Sequence, residues 1–167
     1  MRRAARATVL GAVLIATGCD PVVSNEINAL GGEAPGVRRG PLHRPGQPCL
    51  LCHDGALGDP PAFSVAGTVF NDPVDLGGAD GVIVSLTDNN GIPYMATTNT
   101  AGNFYVTPDQ WSPAFPLKVI IIGANTERIM QSEIGRDGAC ASCHVNPAGP
   151  SSPGVVCLTT VDGGTPP

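Results

Sequence analysis

The sequence is poor in aromatic residues: one Trp, two Tyr and four Phe make up 4% of its 167 residues. So few large apolar side chains predict a modest core, and small scaffolds of this kind often depend on a disulfide, a metal or a cofactor.

Basic residues are scarce as well. Residues 1–18 hold three of the nine Lys and Arg, and the other six face 14 Asp and Glu, a formal charge of −8. This acidity argues against a nucleic-acid partner.

The N-terminus lacks a hydrophobic run long enough to cross a bilayer, which takes about 20 apolar residues. The run at 8–17 follows a basic start at 1–6, as in a bacterial export signal over residues 1–18. Residues 16–19, Ala-Thr-Gly-Cys, resemble the lipobox of bacterial lipoproteins, although Ala16 stands where that family usually has Leu. The resemblance implies lipidation of Cys19 and anchoring to a bacterial membrane, on its periplasmic or cell-surface side. The alternative is ordinary signal cleavage with Cys19 a free thiol, and both predict export.

The composition predicts five segments in the chain. After the signal peptide, residues 19–48 are rich in Gly, Pro and Arg without a sustained period, which is typical of a flexible tether. Residues 62–123 predict a β-sandwich domain, because short β-type runs alternate with strong Asn and Gly turn signals. The runs are 63–70, 82–87, 94–98, 103–107 and 117–122. The flanking parts are 49–61 and 124–167, and in the second of these, residues 155–161 can return as an edge strand.

Parts of the predicted sandwich resemble a known family. Residues 65–69, 81–88 and 97–105 are similar to the carboxypeptidase regulatory-like domain. The resemblance implies a small transthyretin-like Greek-key β-sandwich without catalytic residues, which serves as a scaffold or binds carbohydrate or protein. The predicted fold class is therefore mainly β: a Greek-key sandwich flanked by two loop or short-helix segments.

Each flanking segment carries the pattern C-x-x-C-H, at 49–53 and at 140–144. This is the attachment sequence of c-type haem. On a helical turn the two sulfurs and the histidine share one face, so thioether bonds and an iron ligand reach the haem together. The pattern predicts two haem c groups, with covalent attachment through Cys49, Cys52, Cys140 and Cys143 and proximal iron ligation by His53 and His144.

Two other uses of these cysteines stay open at this point. In an oxidising compartment each C-x-x-C pair can form a disulfide, or all four cysteines can hold one zinc ion. Neither use requires a histidine directly after both pairs. The 87 residues between Cys52 and Cys140 also exceed the usual spacing of zinc-binding pairs.

The distal iron ligands are predicted by counting. With two of the three His proximal, His43 is the remaining imidazole, so the two haems are expected to differ. Met130, ten residues before Cys140, is the better methionine candidate, and Met95 is a weaker one because it falls in a predicted strand. Cys157 is interpreted as a buried thiol, and Trp111 as a loop anchor that could alternatively cover a haem or bind a sugar.

The pattern thus favours a membrane-anchored di-haem cytochrome that exchanges electrons with redox partner proteins. The alternative is a surface lipoprotein that binds carbohydrate or protein through its sandwich, with the C-x-x-C pairs as disulfides or a zinc site. An enzyme such as a di-haem peroxidase is disfavoured because the sequence offers no acid–base cluster.

Overall fold

The computed structural model of the chain describes residues 21–33, 36–56 and 60–159. The predicted signal peptide and Cys19 therefore lie outside the described residues. Helix α1 spans Pro21–Ala29, helix α2 spans Cys49–Cys52, and a 3-10 turn spans Cys140–Ser142. The six strands are β1 Val65–Thr68, β2 Ile83–Thr87, β3 Pro93–Thr97, β4 Asn103–Val106, β5 Lys118–Ile122 and β6 Glu127–Ile129. Within these ranges no helix is long and apolar enough to cross a membrane. The prediction of a mainly β fold is confirmed.

The strands form two antiparallel sheets. One contains β1 and β4, and the other has the order β3-β2-β5-β6. The predicted turn at 88–91 joins β2 to β3: the Asp88 carboxylate accepts the N–H groups of Asn90 and Ile92, and Gly91 has a φ of +77°. That left-handed conformation favours glycine, so the sequence at the turn fixes the hairpin.

A single apolar cluster lies between the two sheets. Alternate residues of β2, β3, β4 and β5 face it, as the two-residue period of a strand requires. Its strand members are Val65, Val84, Leu86, Ala96, Phe104, Val106, Val119 and Ile121. Because both sheets contribute to the same cluster, they pack face to face as a sandwich.

Strand β1 lies between other parts of the chain, and all four of its residues are buried. One edge of β1 pairs with β4. At the other edge, the N–H of Ala66 donates to the carbonyl of Gly138. Just beyond the strand, Phe70 exchanges hydrogen bonds with Val156 and Leu158. The segment predicted to return as an edge strand thus runs beside the continuation of β1.

The loop before the first C-x-x-C-H motif is fixed to the small sheet. The buried side chain of Asn103 donates from Nδ2 to the carbonyls of Pro41 and His43, at 3.2 and 2.9 Å. Its Oδ1 accepts the hydroxyl of Thr68, which in turn accepts the N–H of Gly46. The segment predicted as a tether therefore contains helix α1 and, nearer the motif, a loop bound to β1 and β4.

Candidate functional site

The two C-x-x-C-H motifs lie against the same strand. Helix α2 and the 3-10 turn, which carry the first and second motif, both contact β1. Sequence order suggested one site at each end of the sandwich, and the structure corrects this. The reason is the pairing of residues 138–139 with the free edge of β1, which brings Cys140 to Gly67. A Cβ atom on Gly67 would lie 2.7 Å from the Cys140 sulfur, so only glycine allows this approach.

The motif cysteines differ in exposure. Burial raises the pKa of the Cys49 thiol to about 11. The pKa of Cys140 rises to about 12, first because of burial and then because of the neighbouring Cys49. Cys143, by contrast, is exposed. None of the four forms a disulfide, and among the described residues no three His, Cys, Asp or Glu side chains converge as a metal site would require.

The two motif histidines are held in the same way. Nδ1 of His53 lies 2.9 Å from the carbonyl oxygen of Pro61, and Nδ1 of His144 lies 2.9 Å from that of Gly154. A carbonyl oxygen only accepts hydrogen bonds, so each Nδ1 carries the proton. This tautomer places the lone pair of each imidazole on Nε2, the nitrogen through which the histidine would bind a metal.

The first motif borders a cavity of about 600 Å³. This volume lies within the range of pockets for small molecules and cofactors. The motif side chains Cys49, Cys52 and His53 line it together with Phe63 and Tyr105. His53 is buried and packs against Phe63 at a ring-centre distance of 4.5 Å; Phe63 stacks in turn on Tyr105 at 4.9 Å. The wall beside the first motif is therefore partly aromatic.

His43 lines the same cavity as His53 and lies beside it. Their ring centres are 6.0 Å apart, with an angle of 60° between the ring planes. Two imidazoles on opposite sides of one metal have their ring centres about 6 Å apart, given metal–nitrogen bonds of about 2 Å and roughly 1 Å from each nitrogen to its ring centre. The ring-centre distance between His43 and His53 is therefore short enough for both imidazoles to bind one metal ion.

Nδ1 of His43 contacts Glu33, and Arg44 binds the same carboxylate. Oε1 of Glu33 lies 3.3 Å from His43 Nδ1 and accepts from Arg44 Nε at 3.1 Å. Partial burial raises the pKa of Glu33, but Arg44, with a smaller share from His43, more than offsets this, so the pKa lies below its ordinary value. Glu33 is therefore a carboxylate at neutral pH, and its Oε1 accepts a hydrogen bond from Nδ1 of His43.

The second motif is fixed by short polar contacts. Asp137 accepts the N–H of Ala139 at 2.8 Å and the hydroxyl of Ser142 at 2.6 Å, which holds both ends of the 3-10 turn. Beyond His144, the buried Ser152 hydroxyl bonds to both backbone groups of Val145. A second cavity of about 330 Å³ lies beside the loop that carries Gly154. The loop that orients His144 is thus itself well fixed.

The methionine candidates lie in different surroundings. Met130 follows β6, is partly buried against the core, and donates its N–H to the carbonyl of Val119. Met95 lies on β3 with 67% of its surface exposed. Neither placement tests iron ligation, so both assignments stay predictions.

Two other residues singled out in the sequence have packing roles. Trp111 stacks on Tyr94 at a ring-centre distance of 5.4 Å, and both pack against the core. Cys157 is buried and donates from its sulfur to the carbonyl of Thr159 at 3.0 Å. Both placements agree with the interpretation of a loop anchor and a buried thiol.

Several residues of the site gave no signal in the sequence. Glu33 and Arg44 stand in the segment interpreted as a tether, and Phe63 and Tyr105 belong to predicted strands. Gly67 is one of 22 glycines, and only the approach of Cys140 distinguishes it. The contacts of these residues depend on the long-range pairing of β1, which local patterns do not specify.

Comparison with known proteins gives no relatives. No protein-family profile, no curated protein sequence and no solved structure matches the chain. The resemblances to bacterial lipoproteins and to the carboxypeptidase regulatory-like domain therefore stay predictions, and the site is interpreted from its own residues.

Proposed function

We propose that this chain is a membrane-anchored di-haem c-type cytochrome that transfers electrons between redox proteins at the periplasmic or cell-surface side of a bacterial membrane. Cys19 carries the lipid, and the two C-x-x-C-H motifs carry the haems. The proposal extends the sequence pattern with the geometry around the two motif histidines.

The observation that carries the proposal is the matched orientation of His53 and His144. Both donate from Nδ1 to a backbone carbonyl at 2.9 Å, although the motifs are far apart in sequence and have different neighbours. Histidines that bind metals are generally oriented this way, because the second hydrogen bond fixes the tautomer and the ring. Two disulfides would give no reason for either histidine to be held so.

The residues at the first motif fit a haem. Cys49 and Cys52 line the cavity of about 600 Å³. His43 and His53 line it too, with their ring centres 6.0 Å apart. Each cysteine would add its sulfur to one carbon of a vinyl group and its hydrogen to the other, so attachment needs no oxidant. When bound, haem supplies one-electron chemistry at its iron. His43 and His53 would hold the iron, with Phe63 packed against His53 and Glu33 hydrogen-bonded to His43.

At the second motif, His144 is the proximal ligand and no imidazole of this chain remains for the other side. Met130 is the candidate there. A haem with His and Met ligands has a higher reduction potential than one with two His ligands, so the two centres would differ in potential. A difference of this kind gives an electron a preferred direction within the chain.

The test is the pyridine haemochrome of full-length protein matured in cells with c-type haem machinery. We expect two haems per chain, and two again in Cys157→Ala, which removes a cysteine outside both motifs. Disulfides or a zinc site would instead give a colourless, correctly processed protein, and that result would overturn the proposal.

A further inference from the structure

We propose that Glu33 is a positioning residue that orients His43 as the second axial ligand of the haem at the first motif. This inference rests on the proposed function. It assigns a role to a residue 16 positions before Cys49, in a segment whose sequence predicts no structure.

The first step of the argument is the hydrogen bond between Glu33 and His43. Because a carboxylate only accepts, the contact of 3.3 Å between Glu33 Oε1 and His43 Nδ1 places the proton on Nδ1 and the lone pair on Nε2. His53 and His144 have the same tautomer, because Nδ1 of each donates to a backbone carbonyl. All three histidines of the chain are thus held for binding through Nε2.

The second step concerns Arg44, which fixes Glu33. Its guanidinium donates to Glu33 Oε1 at 3.1 Å, to Gln47 Oε1 at 2.8 Å and to the carbonyl of Gly31 at 2.8 Å. These bonds join the 31–33 turn to the loop that carries His43. Since the planar guanidinium sets the direction of each bond, the Glu33 carboxylate has little freedom to leave His43.

The third step concerns the second oxygen of Glu33, which the ion pair with Arg44 does not use. This oxygen, Oε2, is buried with no hydrogen-bond partner in the part of the chain that the structure describes. A buried, unsatisfied carboxylate oxygen costs free energy, so a neutral side chain would serve packing better. A carboxylate beside a metal-binding imidazole instead makes that ligand more basic, which favours oxidised iron.

The test compares Glu33→Ala, Glu33→Gln and His43→Ala in the haem-loaded, full-length protein, with the exposed Glu133→Ala as the control. Cyanide competes with His43 for the iron, so its dissociation constant reports how firmly His43 binds. Loss of an outer-shell partner typically weakens metal binding by about 10–100-fold. The His43→Ala variant identifies the first haem, because cyanide affinity changes there. At that haem we expect Glu33→Ala to bind cyanide about 10–100-fold more tightly than the wild type.

Glu33→Gln keeps an oxygen acceptor for His43, so we expect it to retain the low-spin electron paramagnetic resonance signal of the wild type. Glu33→Ala should show a larger high-spin fraction and a more positive potential. Equal cyanide affinity, spin state and potential in Glu33→Ala and wild type, with two haems in each, would overturn the role of Glu33. A His43→Ala variant with the cyanide affinity, spin state and potential of the wild type would also overturn it. A wild-type protein without haem would overturn the proposed function itself.

Discussion

Single residues determine how closely the second motif approaches the sandwich. Gly67 lies in the middle of β1, and the Cys140 sulfur and the Phe104 ring occupy the space that a side chain would need. Interiors are close-packed, so one added methyl group must displace these neighbours. The contact also fixes the start of the 3-10 turn that carries the second motif.

We therefore predict that Gly67→Ala lowers the free energy of unfolding by about 1–3 kcal/mol, because overpacking forces Cys140 away from β1. The measurement is urea denaturation followed by circular dichroism. Gly135→Ala is the matched control, since no atom lies within 4 Å of a Cβ there. Equal midpoints for the two variants would show that Cys140 does not pack on β1 as described.

The partly buried thiols of Cys49 and Cys140 lead to a prediction about pH. In the haem-free chain, Cys49 and Cys140 have pKa values of about 11 and 12, above the ordinary value of 9.0. The folded state therefore keeps protons that the unfolded state releases. Stability should be unaffected by these thiols below pH 9 and should fall as the pH rises from 9 towards 12.

Urea titrations at pH 8 and pH 10 measure this effect, with the Cys49→Ala/Cys140→Ala double variant as the reference. We expect the haem-free chain to lose more stability than the variant between the two pH values. Haem-loaded protein should not show this loss from the thiols, because its thioethers carry no ionisable proton. A haem-free chain that parallels the double variant would mean that the pKa values of the two thiols are not raised.

At the scale of elements, the loop over residues 41–47 connects the first motif to the small sheet. Asn103 binds the carbonyls of Pro41 and His43, and Thr68 links it to Gly46. One buried amide thus determines where the backbone of His43 lies relative to β4. The position of the candidate axial ligand depends on this strand as well as on its own loop.

We predict that Asn103→Ala destabilises the chain by about 1–3 kcal/mol, because it removes the side-chain donor to the carbonyl of His43, whereas the carbonyl of Pro41 keeps its shorter bond from Asn99. In the haem-loaded protein it should also raise the high-spin fraction at the first haem. Thermal unfolding and visible absorption measure the two effects. Asn125→Ala, at an exposed position, is the control. If the spin state does not change, the loop holds His43 without Asn103.

The sequence identified the elements better than their arrangement. The five predicted runs correspond to β1 to β5, with ends that differ by at most three residues. Strand β6, Glu127–Ile129, was missed because its three residues show no alternation of apolar and polar side chains. Helix α1 was missed because its Val, Ser and Asn residues have weak helix propensity. The sandwich of two sheets was predicted from the spacing of the strands, but the pairing of residues 138–139 with β1 has no local signal.

The sequence also predicted only some of the residues of the candidate site. The spacing of C-x-x-C-H indicated the motif cysteines and histidines, and counting indicated His43. The sequence did not indicate the carbonyls of Pro61 and Gly154, the Glu33 carboxylate or the ring of Phe63. These partners come from separate loops and strands, so only the folded chain brings them to the histidines.

In the whole molecule, the sandwich brings two motifs from distant parts of the sequence to one strand. Helix α2 and the 3-10 turn both pack on β1, and Cys49 contributes to the raised pKa of Cys140. A haem at each motif would therefore have the other as a neighbour within the same chain. A fixed pair suits electron transfer, because an electron can pass between the centres without a second protein.

The most direct test of the di-haem proposal is the intact mass of the chain after maturation in cells with c-type haem machinery. We predict a mass increase of two haems for the wild type. Replacing both cysteines of either motif by Ala should leave an increase of one haem, and replacing all four should leave none. A wild-type mass without haem, or lower by two hydrogens for each C-x-x-C pair as disulfides require, would contradict the proposal.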